Sequence, residues 1–568
     1  MNFDTEERIF TARRIFYIFI VAIAVLLIRY VWAIRKYHQA RTNEKQHVQV
    51  PPSLPALIPY LGHAFTFARN TKKFITQATL YRDSLTSTKI SLLGFNLYVF
   101  QDRKSVIDIL RHPNLSSPMS LYVFGERFLF GMPRRGVAAY LADDSGPSAR
   151  PFPGSNVAPE KRVDYILHKA FHHAWTGPFL GPASRRFMKT FDAHVGDIRL
   201  SERREWTPVD DVFLLFGRAV SSSVTETVFG PSLLKLNPDI IETAWALDQA
   251  LPWLFRQVPA FLMPRPYRLR KKMSKQIQRW YAYSRQWFTE SSVDPDGDGD
   301  PYWGSEIVRR LQRELLRDGD RGFIDDECFA AHDMGLIWGS NSNVIAAAML
   351  VVYHVFQDAT LLNRIRSEIH DRFVGPSFQL SDIDHRELIK LPLLSSVLAE
   401  VLRLYVDVLL IFSSPHEDVF VGHWRLPKGE KAIVSTSIAH RDKSIWNTRM
   451  GQFPLETFWA DRFMVDPSDP LSGPVRPDAV RDHNPDGKEG PFYSTHGLEG
   501  AWIPFGGGPS ACPGRFLAKT IIMATCVRLV TRFDVEMLSD SLQFEPMRFG
   551  LGVAKAKGPI PARIRPRG

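Results

Sequence analysis

One cysteine stands where it can do chemistry. Cys512 lies in the run FGGGPSACPGR, residues 505–515, with Gly506, Gly507, Gly508 and Gly514 around it. Glycine has no Cβ, so the backbone there can approach a bulky partner closely. Residues 514–519, GRFLAK, open an apolar helical stretch, which puts the sulfur at or near a helix N-terminus. The partial positive charge of that end lowers a thiol pKa and favours thiolate. A thiolate on a glycine shelf suits a haem iron, because an axial sulfur pushes electron density onto the metal and promotes O–O cleavage. The competing reading is a buried structural cysteine, which glycine-rich turns also tolerate. Spacing singles out a second pair: Glu400 and Arg403 are three residues apart, on one face of a helix. By itself an E-x-x-R arises from composition alone.

These residues need elements to position them. Apolar periodicity predicts helices over 306–316, 326–356 and 389–404, and shorter β-like runs lie at 89–100 and 418–436. Stretches rich in Pro and Gly at 143–160, 293–303 and 467–500 read as loops, the last a long insertion. The expected fold class is mixed α/β, predominantly α-helical. Residues 294–299, DPDGDG, carry oxygen ligands at positions 1, 3 and 5 of a calcium loop and glycine at 6. Position 12 is Ser305 where a bidentate Glu is needed, so an acidic surface loop is the better reading.

Lys and Arg number 71 against 60 Asp and Glu, a net charge of +11 that suits acidic partners or anionic lipid. No basic cluster is interleaved with stacking aromatics, so nucleic acid is not an expected partner. The three cysteines, Cys328, Cys512 and Cys526, are too few and odd in number for a disulfide framework and point to a reducing compartment. Cys328 and Cys526 lie in apolar helical contexts and read as core. Residues 15–28 are uninterrupted apolar and 30–34 continue past Arg29, giving a span long enough for a bilayer core. Arg29 lies near its end, where it can snorkel to the headgroups. No small-residue cleavage site follows, so an uncleaved single anchor is expected rather than a signal peptide. Arg8, Arg13 and Arg14 precede the span, and Arg35, Lys36, Arg41 and Lys45 follow it, a bias that places the C-terminal side in the cytosol. Pro51, Pro52, Pro55 and Pro59 then make a stiff extended strut. The expected organisation is a short tail over 1–14, an anchor over 15–34, a basic linker and proline hinge over 35–62, and a catalytic domain over 63–568.

The cysteine run resembles the cysteine loop of cytochromes P450. Three further segments are similar to that family and stand in its order: Glu400-x-x-Arg403, the stretch AHRDKSIW at 439–446, and FWADRF at 458–463, which resembles a meander motif ending in Arg-Phe. Over residues 51–560 the chain is identified as a member of that superfamily, of the microsomal eukaryotic type, fungi included. The resemblance implies a cytochrome P450 fold with an N-terminal transmembrane helix and haem b held by Cys512 as axial ligand. Phe505, Gly508, Ser510 and Gly514 would shape the cofactor-binding loop. Glu400, Arg403 and Arg462 would place a carboxylate between two guanidiniums on the proximal side. His440 reads as a structural histidine. A monooxygenase is implied, taking electrons from NADPH through a flavoprotein reductase, with cytochrome b5 as a second donor, at the endoplasmic reticulum membrane with the catalytic domain facing the cytosol. Its substrate would be a lipophilic small molecule.

Two departures from the family pattern stand out. The usual loop has an arginine two residues before the cysteine, where it pairs with a haem propionate; here that residue is Ser510. Neutralisation must come from elsewhere, and the family's tryptophan–arginine signature is not evident around His172, His173 and Trp175. The second departure lies in the long distal helix, IWGSNSNVIA at 337–346. Most family members place an acid followed by threonine here to pass protons, and the register puts Ser342 and Asn343 in those positions. Neither titrates near neutrality, yet both can hold water, which makes them the candidate catalytic pair. The alternative is that they only loosen the helix by competing for its backbone. Both departures resemble the branch of the steroid 7α-hydroxylases and prostacyclin synthase. The expected activity is oxidation of a steroid, terpenoid or similar natural product. Kept beside it are a haem-thiolate isomerase or dehydratase that needs no reductase, and a non-enzymatic haem module. Apolar loops at 122–130, 251–261, 408–414 and 549–553 are expected to line the pocket.

Overall fold

The computed structural model describes residues 3–42, 50–200, 205–316, 325–373, 379–479 and 487–567. The helices that build the site are α1 (Phe3–Thr42), α2 (Arg103–Arg111), α3 (Val163–Trp175), α4 (Val212–Phe229), α5 (Ile240–Phe255), α6 (Asp326–Gln357), α7 (Pro392–Tyr405) and α8 (Arg515–Arg532). Helix α6 is the central rod, packed against α4, α7 and α8. Its start is fixed by Asp325, which caps the Cys328 N–H, and by Asp326 and Glu327 in the first turn, where negative charge suits the helix dipole. It runs without a break through its Ser and Asn residues, so these do not unwind it.

Both α4 and α6 are long and apolar enough to cross a membrane, but most of each apolar window (67% and 61%) is buried inside the body. A helix apolar on nearly all sides is what a core rod requires. Helix α1 is different: none of its apolar window is buried. It extends beyond the expected span 15–34 at both ends. Arg41, near its C-terminus, is buried and donates from Nη2 to Thr88 Oγ1 at 2.6 Å, so the beginning of the expected basic linker is helix docked on the body. The rest of that linker, 43–49, lies outside the described residues. The proline strut is laid along a strand: Lys89 N–H donates to Pro52 O (3.0 Å) and Leu54 N–H to Lys89 O (2.8 Å).

The strands of the two larger sheets are β1 (Thr88–Leu92), β2 (Phe95–Val99), β3 (Thr207–Val209), β4 (Val406–Phe412), β5 (Lys431–Ser435), β6 (Phe533–Met537), β7 (Leu551–Val553) and β8 (Ala562–Pro566). One sheet has the order β7-β4-β5-β2-β1, with β2 and β5 parallel and the other pairs antiparallel. A second has the order β6-β8-β3. The segment 538–561 between β6 and β8 carries β7 back to the first sheet. The predicted helices appear as Glu306–Leu315, α6 and α7, the last beginning late because Pro392 suits a first helical turn. The predicted run 89–100 is the β1–β2 hairpin, turned at Leu93 and Gly94, both with positive φ. In the insertion 467–500, Phe492–Tyr493 pairs with Met464–Val465, while 480–486 lies outside the described residues. The acidic loop holds arginines: Asp296 pairs with Arg185 (3.4 Å), Asp298 with Arg186 (2.7 Å) and Asp300 with Arg309. Carboxylates committed to guanidiniums do not form a calcium cage, and no cluster of three metal-binding side chains occurs among the described residues.

Candidate functional site

Cys512 ends a tight loop and begins a helix. Its N–H donates to Phe505 O at 2.8 Å, which closes the loop, and Gly514 caps α8. Gly508 has φ +59, and a Cβ there would fall 1.8 Å from Leu110 O of α2, so only glycine lets the loop press on that backbone. The Cys512 thiol is free and exposed by surface area. Burial by the surrounding protein nevertheless raises its pKa, against the downward pull of the Gly514 and Arg515 N–H groups and the Arg515 charge.

Ser510 does not stand free. Its Oγ accepts the Ser117 N–H at 2.9 Å and so ties the loop to a neighbouring segment. Charge near the loop comes instead from Arg515 and from Lys519, whose Nζ lies 5.9 Å from the Phe505 ring centroid. Helix α3 lies against the same loop: the Trp175 ring is 3.7 Å from where a Gly514 Cβ would be. On α3, His168 and His172 have their rings 4.5 Å apart. Burial first, and Arg515 after it, lowers both pKa values, that of His168 to about 4, with His172 also lowering it.

Beneath the loop the structure brings Glu400, Arg403 and Arg462 together, all fully buried. Arg403 donates from Nε to Glu400 Oε2 (2.6 Å) and from Nη2 to Oε1 (2.8 Å); Arg462 Nε donates to Oε1 (3.0 Å). Each guanidinium also lies over a tryptophan, Arg403 over Trp446 and Arg462 over Trp459. His440 connects this network to the loop. Its Nε2 accepts Ile503 N–H (3.1 Å), which leaves Nδ1 to carry the proton toward Arg403 O (3.2 Å). Burial, with Arg441 and Arg403, lowers its pKa to about 3, so it is a neutral structural link and no metal ligand.

The four polar residues of the distal stretch divide their work. Ser340 Oγ donates to Ile337 O, and Asn341 is buried against Ser221 and Thr225 of α4. Asn343 Oδ1 accepts Val553 N–H at 3.0 Å and pins β7 to α6, where Gly552 alone leaves it room. Ser342 Oγ donates to Asp248 Oδ1 of α5 at 2.9 Å. Gly339, three residues earlier, is exposed in the midst of this buried helix, and a Cβ built on it would meet nothing within 4 Å. Aromatic side chains gather around the same stretch: Phe130 lies 5.9 Å from Trp338, and Phe124 lies 5.2 Å from both Phe128 and Phe255. Asp248 was not legible in the sequence as part of this stretch. Its one signal is a carboxylate inside AWALDQALPWLF, the otherwise apolar remainder of that helix after Glu242 in its first turn.

The residues fit a haem. The loop offers one soft sulfur donor backed by two amide N–H groups, which suits iron. Gly339 leaves space on the long helix, and Arg515 and Lys519 supply positive charge beside the loop. The protein-family model for cytochrome P450 matches residues 167–560. The chain belongs to the cytochrome P450 family. This P450 is 30% identical to the cytochrome P450 monooxygenase efuG of Hormonema carpetanum, over 91% of this chain and 90% of that one. It is 21% identical to the cholesterol 7-alpha-monooxygenase of Cricetulus griseus, over 94% and 95% of the two chains. Retinoic acid-bound cyanobacterial CYP120A1 shares the fold, with a TM-score of 0.61 at 17% identity, covering 92% of this chain and all of that one. The protein is a P450 monooxygenase of a haem-iron family, which implies a redox partner and a small-molecule substrate.

Proposed function

We propose that this P450 holds haem b on Cys512 and oxidises a lipophilic small molecule, a steroid, terpenoid or similar natural product, at the endoplasmic reticulum membrane. The observation that carries the reading is the free, open Cys512 thiol at the start of α8. Bound there, the haem supplies activation of dioxygen for insertion into a C–H bond. Phe505, Gly508 and Gly514 shape the shelf, and Ser510 fastens it through Ser117. Arg515 and Lys519 stand in for the charge of the missing loop arginine toward the propionates. Glu400, Arg403 and Arg462 hold the shelf from beneath through His440 and Ile503.

On the opposite side, Ser342 and Asn343 hold water at α6. The apolar aromatic walls favour a lipophilic substrate, and relatives named for cholesterol and 25-hydroxycholesterol support a steroid-like frame. NADPH–cytochrome P450 reductase, with cytochrome b5 as a second donor, would dock an acidic face against Lys169 and Arg310 at the cleft of about 510 Å³ beside α3. Helix α1 would be the single-pass anchor, with the body in the cytosol. The reduced protein with carbon monoxide is expected to show the absorption of thiolate-ligated haem, lost in Cys512→Ala and kept in Cys526→Ala. A thiolate signature that persists in Cys512→Ala overturns the assignment.

A further inference from the structure

The acid that the distal stretch lacks is present in space, on another helix. Asp248 of α5 takes four hydrogen bonds: from Ser342 Oγ (2.9 Å), Trp338 Nε1 (2.7 Å), Arg548 Nη2 (2.9 Å) and Lys555 Nζ (2.5 Å). Helix α6 thus presents only neutral groups to it, and the 538–561 segment presents both cations. Asp248 and Arg548 are buried, while the Lys555 side chain keeps 24% of its exposure. A continuous hydrogen-bonded path therefore runs from a partly exposed ammonium to a hydroxyl three residues from the open Gly339.

We propose that Asp248 is the positioning residue for proton entry: Lys555, Asp248 and Ser342 form the path by which protons reach the cavity beside Gly339 and Asn343. The inference rests on the placement of the reaction site at α6. In each passage the Ser342 hydroxyl turns from the carboxylate to give its proton to water on the cavity side, and its oxygen then takes the proton that Asp248 has received. Asp248 takes its proton from Lys555 Nζ, and solvent restores the ammonium, so every side chain ends as it began. Burial raises the Asp248 pKa, but Lys555 and Arg548 outweigh it and hold the group at about 2, so it rests as carboxylate. Burial, with Arg548, lowers the Lys555 pKa against the opposing pull of Asp248, which eases release of its proton.

The test compares Asp248→Asn, Ser342→Ala and Ser342→Thr with the wild type in the haem-loaded full chain. All three are expected to keep the carbon monoxide spectrum and substrate affinity, which separates this inference from the haem assignment. In Asp248→Asn and Ser342→Ala, kcat is expected to fall roughly 100-fold at unchanged KM, with NADPH electrons diverted to hydrogen peroxide. Ser342→Thr, which keeps the hydroxyl, restores coupling. A readout independent of turnover is the pH at which Lys555 becomes acylated by an amine reagent, followed by mass spectrometry. Loss of the Asp248 charge moves that onset to lower pH. Wild-type coupling in Ser342→Ala, or an unmoved Lys555 onset in Asp248→Asn, overturns the proposal. Should Asp248→Asn lose its haem, coupling in Ser342→Ala against Ser342→Thr decides alone.

Discussion

Glu400 carries one negative charge against two guanidiniums at a site with no solvent. Removing it leaves Arg403 and Arg462 facing each other, and an uncompensated buried charge costs about 3–5 kcal/mol. Glu400→Ala is therefore expected to yield protein with little haem rather than a slower enzyme, read as the ratio of haem to protein after purification. A haem-replete Glu400→Ala protein would place the support of the loop elsewhere. His440 gives the network a pH dependence. Its folded pKa of about 3 lies below the ordinary 6.5, so the stability it confers is fully present above pH 6.5. That stability is lost as pH falls from 6.5 toward 3, by at most about 1.4 kcal/mol per pH unit. In His440→Gln, whose amide oxygen can still accept the Ile503 N–H, the unfolding midpoint should fall less between pH 7 and 5 than in the wild type. An equal fall in the two proteins contradicts this account.

At the scale of elements, the cysteine loop depends on how closely it lies on α2. A Cβ at Gly508 meets a backbone carbonyl at 1.8 Å, and the residue has φ +59, so neither partner can yield by a rotamer change. Gly429 has a similar φ of +74 but open space around it. Gly429→Ala should cost only the backbone strain of about 1–2 kcal/mol. Gly508→Ala should cost clearly more and displace the loop that carries Cys512. Thermal unfolding and haem content of the two variants check this, and equal effects would show that α2 moves aside freely.

At the scale of the molecule, α1 is, among the described residues, the one helix of membrane-spanning length whose apolar window lies outside the body, and its last turn is fastened to β1 by Arg41 and Thr88. Truncation of residues 1–36 keeps that fastening and removes the apolar span. The truncated protein should retain its carbon monoxide spectrum while the fraction that sediments with membranes falls. Loss of the spectrum would mean that the span also supports the catalytic body.

Local pattern carried much of this protein. The glycines around Cys512, the apolar run of α6 and the three-residue spacing of Glu400 and Arg403 are local features of the chain, where sequence spacing fixes geometry. The meeting of Arg462 with that pair was legible only through the family's order of motifs. Spacing does not reach across helices. That Ser342 meets a carboxylate 94 residues away, that Asn343 pins a strand 210 residues on, and that Ser510 turns to Ser117 were set by the packing of α5, α6 and the C-terminal strands. A side-chain hydrogen bond depends on which faces packing presses together, and burial then penalises any polar group left unpaired. The cysteine and its support could be read from the chain; the partners that hold and charge the distal residues existed only once the helices had packed.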